Sequence, residues 1–282
     1  MNKRQKEIWL FFFIAFGWMW GLNIPRVMVS REIIILPPLL YTLLGYLAVF
    51  GPGAAAFILT GINSGREGIK SLWRRGWTGG FSKVWLIPTL FLMPVMGGFT
   101  SLVLRLLNRP IPWEYALSPA MIVPIGLLIW LVGALPEEYG WRGYAMERLL
   151  KGNSPLLASL ILGSIWGVWH LPLHFISTST QFVIPIWEYI LQTIALAIIY
   201  TWLYMGTGGN ILIAGLFHAM GNITGAVIPY WVTGPGRWIS FVLLLIAGGL
   251  VILRGFPAQE ERNLAGDPKT SEVTSEVTSE VP

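Results

Sequence analysis

The sequence contains no cysteine, and Asp267 is the only aspartate among its 282 residues. Without cysteine the chain has no disulfide, no thiolate metal site and no cysteine nucleophile. A single aspartate cannot form a catalytic aspartyl dyad, and a Gly-x-Ser-Gly nucleophile motif is also missing. Cysteine-based chemistry, an aspartyl-dyad mechanism and a serine mechanism of the Gly-x-Ser-Gly type are therefore excluded.

Charged residues are scarce as well. They make up 12% of the chain, against roughly 25% in soluble proteins, whereas 54% of the residues are apolar. The 15 tryptophans and 32 glycines are typical of a membrane protein, because aromatic rings collect at membrane interfaces and glycine is tolerated in lipid-embedded helices. The net charge of +5 is explained by cytoplasmic loops rich in Lys and Arg, so we predict no nucleic-acid partner.

Eight apolar stretches are each close to the roughly 20 residues that a helix needs to cross a bilayer. They lie at residues 8–24, 39–62, 84–107, 118–150, 155–175, 182–205, 210–230 and 238–253. The first stretch lacks a small-residue cleavage site, so we expect it to be retained rather than removed as a signal peptide. The sequence predicts an all-α, polytopic membrane bundle of about eight transmembrane helices.

Two further features lie outside these spans. Residues 66–83 place Arg74 and Arg75 among tryptophans and aliphatic residues, which predicts an interfacial amphipathic helix on anionic lipid. After residue 256 the composition becomes polar and ends in a Ser-Glu-Val-Thr repeat. We therefore predict a membrane domain at 1–256 and a disordered cytoplasmic tail at 257–282.

The basic residues predict an orientation. In this layout most of the 19 lysines and arginines lie on the same side of the membrane as the N-terminus. Because Lys and Arg collect in cytoplasmic loops, we predict a multi-pass protein of the cell membrane with both termini in the cytoplasm.

Two acids and an arginine interrupt the stretch at 118–150 well before its end, in the order Glu137-Glu138-x-x-x-Arg142. Each such group costs about 2.5–3.5 kcal/mol at the membrane centre, and a typical total stability is about 5–15 kcal/mol. These groups must therefore face partners or water. The alternative is that the apolar span ends at Leu135 and the charges only mark its cytoplasmic end.

Depth argues against that alternative. The turn at 151–155 combines a Gly stop, a Ser cap and a first-position Pro, which fixes where one helix ends and the next begins. At about 1.5 Å per residue, Glu137 lies about 20 Å before this turn and His170 about 22 Å after it. We expect the two side chains at similar depth on antiparallel neighbours.

Helical spacing separates the two glutamates. Glu138 and Arg142 are spaced i, i+4, so they share a helix face and can neutralise each other. Glu137 is rotated by about 100° from Glu138. It is left available for a different partner.

The three histidines, His170, His174 and His218, all lie in apolar stretches, and His218 is spaced i, i+4 from Asn222. A lone histidine in a membrane helix is more often a hydrogen-bonding group than a catalyst. Two such helices beside an unpaired carboxylate favour hydrolysis, which needs a base, an orienting partner and oxyanion donors. We assign His174 to structure, with a secondary ligand role as the alternative.

Three motifs follow one another along the chain: Glu137-Glu138-x-x-x-Arg142, Trp166-x-x-x-His170 and His218-x-x-x-Asn222. In this order the chain resembles the CAAX-protease and bacteriocin-processing family of intramembrane endopeptidases, which includes the type II CAAX prenyl endopeptidases. The resemblance covers about residues 118–230, the predicted protease core. Trp166 departs from the phenylalanine that is common in the second motif.

The resemblance implies the chemistry of the site. Glu137 and His170 would activate a water molecule, and His218 and Asn222 would hold the oxyanion of the tetrahedral intermediate. The substrate would be a lipid-associated peptide or a small membrane protein, prenylated in CAAX-type members of the family, and cut near its C-terminus. We expect the polar cavity to open toward the cytoplasmic leaflet, among membrane lipids.

The same resemblance implies that Glu138 and Arg142 shape the site. The metal requirement stays open, because Glu137, His170 and His218 would also suit a zinc site with two histidines and one carboxylate. We favour a metal-independent mechanism, since the sequence has no His-Glu-x-x-His motif.

Two other functional classes remain as alternatives. A noncatalytic immunity or scaffold protein with the same fold would tolerate the loss of Glu137 and Asn222. A small-solute transporter would also carry intramembrane acids, prolines and glycines, but the sequence shows no internal repeat of the membrane domain. We favour the endopeptidase.

Overall fold

The computed structural model describes residues 2–258, and every regular element in that range is helical. The α-helices are α1 (Lys3–Ser30), α2 (Pro38–Ala48), α3 (Gly51–Arg74), α4 (Leu86–Leu106), α5 (Ile122–Leu128), α6 (Leu135–Gly140), α7 (Glu147–Leu150), α8 (Pro155–Trp169), α9 (Ile186–Gly206), α10 (Ile211–Val227) and α11 (Gly234–Arg254). The predicted all-α fold is confirmed. Of the predicted tail, residues 259–282 lie outside the described range.

The protein is a multi-pass membrane bundle. Six segments in the described range are long and apolar enough to cross a bilayer: Lys3–Ser30, Lys83–Leu106, Trp113–Leu150, Pro155–Phe175, Ile186–Gly206 and Gly234–Arg254. Helices α2 and α3 would add a seventh span if they cross together, bent by 54°. Helix α10 is apolar but shorter, with 17 residues. The predicted total of eight spans is therefore not confirmed, although all eight apolar stretches are largely helical.

The second predicted span is broken. Residues 39–62 are divided between α2 and α3, because Pro52 lies in the first turn of a new helix, where its fixed φ and missing N–H are tolerated. Close backbone contact accompanies the break. A Cβ atom on Gly53 would lie 2.6 Å from the carbonyl oxygen of Pro136, and one on Gly140 would meet the backbone of Pro52. Small residues therefore let α3 and α6 touch.

The predicted helix at 66–83 is present over residues 66–74 and absent from the rest of that range. Gly65, at φ 61°, kinks α3 and separates this second helical segment, which ends at Arg74, from the first. Residues 78–82 are not helical. Gly80, at φ 105°, adopts a left-handed backbone conformation that ends any helix there.

The fourth span is one composite helix with two wide turns. Helices α5, α6 and α7 are joined by π-helical segments at Ile129–Ala134 and Trp141–Met146. Pro136 lies in the first turn of α6 and has no N–H to donate, which explains why regular α-helical bonding fails just upstream. Such π-turns often occur at functional sites. Here they bracket the six residues that carry both glutamates.

Helix α8 is held against α9 and α1. A Cβ atom on Gly167 would lie 3.0 Å from the Cα of Ile190, so the α8 and α9 backbones approach closely. The hydroxyl of Thr193 donates to the carbonyl of Gly163 at 3.1 Å. At the end of α8, the indole N–H of Trp169 donates to the carbonyl of Ala15 at 3.0 Å. These contacts fix the helix end from which His170 projects.

The interhelical loops divide between two ends of the bundle. The basic end comprises residues 75–82, 151–154 and 207–210, and the cavity end comprises residues 31–37, 107–121, 170–185 and 228–233. At the basic end Arg75 donates to the carbonyl of Gly209 at 3.2 Å. At the cavity end Tyr41 and Thr178 hydrogen-bond at 2.9 Å. Most basic residues, and the start of α1, lie at the basic end.

Candidate active site

The four side chains that the sequence assigned to catalysis line one cavity of about 520 Å³. Glu137 comes from α6, His170 from the end of α8, and His218 and Asn222 from α10. Helices α4, α9 and α11 complete the walls. Residues that are far apart in sequence therefore border a single space within the membrane-spanning bundle.

Glu137 is buried, with 5% of its surface exposed. Its Oε2 accepts hydrogen bonds from two indole N–H groups, those of Trp141 at 3.3 Å and Trp166 at 3.2 Å. In the described part of the chain no cation lies within ion-pair distance of Glu137, as the helical spacing predicts. Indole N–H groups only donate, so the two tryptophans orient a carboxylate oxygen as an acceptor.

Glu138 and Arg142 are fully buried and paired, as their spacing predicts. Nη1 of Arg142 lies 3.0 Å from both carboxylate oxygens of Glu138. The guanidinium also packs over the rings of Trp166 and Tyr200, at 5.0 and 3.8 Å from their centroids. Neither member of the pair lines the cavity. Arg142 instead packs against Trp166 and Tyr200, which do line it.

His170 is oriented by its own helix. Its Nδ1 lies 2.8 Å from the carbonyl oxygen of Trp166. A carbonyl only accepts, so Nδ1 carries the hydrogen and the lone pair of the neutral ring is on Nε2. The ring also packs edge-on against Trp169 at 4.7 Å and Tyr189 at 5.2 Å. These contacts hold the imidazole in one position at the cavity.

His218 is oriented by a different helix, through a contact that the sequence analysis missed. Its Nδ1 lies 2.8 Å from Oε1 of Glu138. A carboxylate accepts, so Nδ1 donates, and Nε2 becomes a donor only when the ring is doubly protonated. Glu138 therefore accepts hydrogen bonds from both Arg142 and His218.

Asn222 lies one turn beyond His218 on α10 and lines the same cavity. Its side chain is exposed, and no described residue forms a hydrogen bond with it. The amide is thus available to a molecule in the cavity.

His174 makes contacts different from those of the other two histidines. Its Nδ1 donates to the carbonyl of Ile184 at 3.0 Å, and the residue does not line the cavity. This geometry agrees with the structural assignment made from the sequence.

Two further groups of the cavity wall were missed by the sequence analysis. Tyr189 contacts both His170 and His174, each at 5.2 Å between ring centroids. Arg237 forms an ion pair with Glu188 at 2.9 Å. An acid inside the stretch at 182–205 was a usable signal for Glu188, whereas Arg237, just before the stretch at 238–253, and a tyrosine in an aromatic-rich chain give none.

The cavity extends to the loops at one end of the bundle, the cavity end. Its lining includes residues of the two loops there, Gln181 and Ile184 from one and Tyr230 and Trp231 from the other. No residue of 75–82, 151–154 or 207–210 lines it. The predicted opening toward the cytoplasmic leaflet and the predicted cytoplasmic N-terminus are therefore incompatible, because the start of α1 lies at the other end.

The donor set does not assemble a metal site in this arrangement. Within residues 2–258, no three His, Cys, Asp or Glu side chains lie close enough together to hold an ion. In this arrangement Glu137, His170 and His218 are therefore not grouped as the zinc site considered from the sequence requires.

Comparison with known proteins agrees with the motifs. Residues 119–224 match the model of a family described as type II CAAX prenyl endopeptidase Rce1-like. A protein of Methanococcus maripaludis named CAAX prenyl protease 2 is 32% identical over 137 residues, which cover 46% of this chain and 49% of the relative. The match thus spans about half the length of that relative. Over this segment the resemblance predicted from the three motifs is confirmed.

Proposed function

We propose that this protein is an intramembrane endopeptidase that cuts a peptide bond near the C-terminus of a lipid-associated substrate. The observation that carries the proposal is the convergence of Glu137, His170, His218 and Asn222 on one cavity. The matched family and the archaeal relative support the same class of reaction.

In the proposed reaction a water molecule lies between Glu137 and Nε2 of His170. These two groups take its proton as its oxygen attacks the carbonyl carbon of the substrate. The carbonyl π electrons move onto oxygen and form the tetrahedral oxyanion. When the oxyanion collapses, the C–N bond breaks and the leaving amine receives the proton, so that a carboxylic acid and an amine are formed.

His218 and Asn222 supply the donors for the oxyanion. The Asn222 amide donates directly, and His218 donates through Nε2 when Glu138 holds the doubly protonated ring. A donor fixed before the substrate binds, as His218 is by Glu138, stabilises developing charge without reorganisation during the reaction. Glu138 and Arg142 act as positioning residues in this scheme.

The proposed substrate is prenylated or otherwise lipid-modified. The cavity joins the polar catalytic groups to apolar side chains from three parts of the bundle, Val49 between α2 and α3, Met96 on α4 and Leu244 on α11. An apolar wall beside a hydrolytic site suits a substrate whose lipid lies among the helices while its peptide reaches the catalytic groups.

The test is cleavage of a farnesylated C-terminal peptide by the purified protein in detergent. Glu137→Gln keeps the shape of the side chain and its bonds to the indoles but removes the base. We expect its kcat to fall by at least about a hundredfold. Glu114→Gln is the matched control, because Glu114 is an exposed acid at the cavity end. Equal cleavage by wild type and Glu137→Gln would reject the proposed mechanism.

A further inference from the structure

A second polar cluster lies in the wall of the same cavity. Arg237, near the start of α11, and Glu188, near the start of α9, form an ion pair at 2.9 Å. Their side chains are only 14% and 2% exposed. Arg237 lines the cavity, so a mostly buried guanidinium borders the space in which the peptide is cut.

Arg237 retains unused hydrogen-bond donors. Its Nε donates to Glu188 at 2.9 Å, and its Nη1 donates to the carbonyl of Trp231 at 3.2 Å. A guanidinium has five N–H donors, so three are not engaged by the described residues. The planar fork of arginine matches a carboxylate better than any other side chain does.

Glu188 makes this placement of a guanidinium tolerable. An isolated buried cation is costly, and a paired one much less so. Gln192 donates to the same oxygen of Glu188 at 3.2 Å, which fixes the acid in place. The pair therefore keeps Arg237 at the cavity without a ligand and leaves its remaining donors free for one.

The wall between this cluster and the catalytic groups is continuous. Tyr189 follows directly after the partner of Arg237 in α9, and its ring packs against His170 at 5.2 Å between centroids. Trp166 contacts both His170 and Glu137. Arg237, Tyr189, His170, Trp166 and Glu137 all line the same cavity.

We propose that Arg237 binds the C-terminal carboxylate of the peptide substrate and thereby sets where the peptide is cut. This inference rests on the proposed endopeptidase function and specifies its substrate class as peptides with a free C-terminal carboxylate. An extended residue spans at most about 3.6 Å. A chain end held by Arg237 therefore places a bond at a fixed number of residues from that end beside the catalytic groups.

The test uses two farnesylated peptides of identical sequence, one ending in a free carboxylate and the other in a carboxamide. With the full-length protein in detergent, we expect kcat/KM for the acid to exceed that for the amide by about 10- to 100-fold. Removing both charges together, in Glu188→Gln/Arg237→Gln, leaves no unpaired buried ion. The acid-to-amide ratio of this variant should fall to about one, and Arg237→Lys should retain part of the preference.

Arg109→Gln serves as the matched control, because Arg109 is exposed at the same end and does not line this cavity. It should keep the wild-type ratio. A wild-type ratio near one, or a high ratio that survives in the double variant, overturns the proposal. If wild type cuts neither peptide, the endopeptidase proposal fails on its own, and equilibrium binding of the two peptides then tests the carboxylate site. Tighter binding of the acid that is lost in the double variant supports the site. Equal binding of acid and amide by wild type overturns it.

Discussion

Oε1 of Glu138 lies 2.8 Å from Nδ1 of His218, although the two residues are 80 positions apart in the chain. The same carboxylate also accepts from Nη1 of Arg142, which lies 3.0 Å from each of its oxygens. One buried acid therefore joins a cation on its own helix to a histidine of the catalytic cavity. The orientation of His218 depends on this acid.

Replacing Glu138 should affect stability and activity together. Glu138→Gln leaves Arg142 buried without its counter-ion, and breaking such a pair costs about 3–5 kcal/mol. It also weakens the hold on His218, so we expect kcat to fall by at least about tenfold in the protein that remains folded. Thermal unfolding in detergent and peptide cleavage measure the two effects.

Glu67→Gln is the control for that experiment, because Glu67 pairs with Lys70 on the surface, where they are 82% and 54% exposed. Exposed pairs contribute about 0–1 kcal/mol, so this variant should unfold close to the wild-type temperature. An equally stable Glu138→Gln protein would contradict the buried pair.

The two histidines at the end of α8 should respond differently to substitution. His170→Gln removes the proposed base at the cavity, and kcat should fall by about 10²–10⁴-fold. His174→Gln alters a residue that bonds to Ile184 outside the cavity, and its activity should stay within about tenfold of wild type. Steady-state cleavage assays compare the two variants. A larger loss of activity in His174→Gln than in His170→Gln would contradict the roles proposed for the two histidines.

Close contact between α3 and α6 predicts which glycines tolerate a methyl group. Gly140→Ala would force a Cβ atom onto the backbone of Pro52, and overpacking of this kind costs about 1–3 kcal/mol. Gly133→Ala, in the same composite helix, meets nothing within 4 Å and should unfold at or above the wild-type temperature. Tryptophan fluorescence during heating in detergent reports both, and equal melting of the two variants would argue against the contact.

Chelation should leave the activity intact. In the described part of the chain the candidate ligands do not assemble a metal site, and the proposed base and oxyanion donors are side chains alone. We expect unchanged peptide cleavage in the presence of a strong chelator. Loss of activity that added zinc restores would instead favour the two-histidine, one-carboxylate mechanism.

The orientation of the bundle can be measured cleanly because the chain contains no native cysteine. Lys151 is exposed at the basic end, and Ser177 is exposed at the cavity end. If the basic end is cytoplasmic, a membrane-impermeant maleimide should label Ser177→Cys in intact cells and Lys151→Cys only after lysis. The reverse pattern would place both termini outside the cytoplasm and open the cavity to the cytoplasmic side.

Much of the candidate site follows from spacing along single helices. The i, i+4 separations predicted the pairing of Glu138 with Arg142 and the shared face of His218 and Asn222. Counting residues from the turn at 151–155 also placed Glu137 at about the same depth in the membrane as His170, at the end of α8. These inferences succeed because the rise and rotation of an α-helix are nearly constant.

Contacts between helices were harder to predict, because they depend on how each helix is rotated about its axis. The bond from His218 to Glu138 requires α10 to face α6 in one particular way, and the two π-turns change that rotation. The pair of Arg237 and Glu188 likewise needs α11 beside α9. Helices α2 and α3 were predicted as a single span because the apolar composition continues across the break between them.

The wide turns on either side of α6 have a consequence for how this helix tolerates changes in length. Each hydrogen bond of a π-turn spans five residues rather than four, so such a turn stores one surplus residue. Deleting a residue from Ile129–Ala134 could restore an ordinary turn and still leave Glu137 aimed at its tryptophans. The same deletion in a regular helix would swing everything beyond it by about 100°.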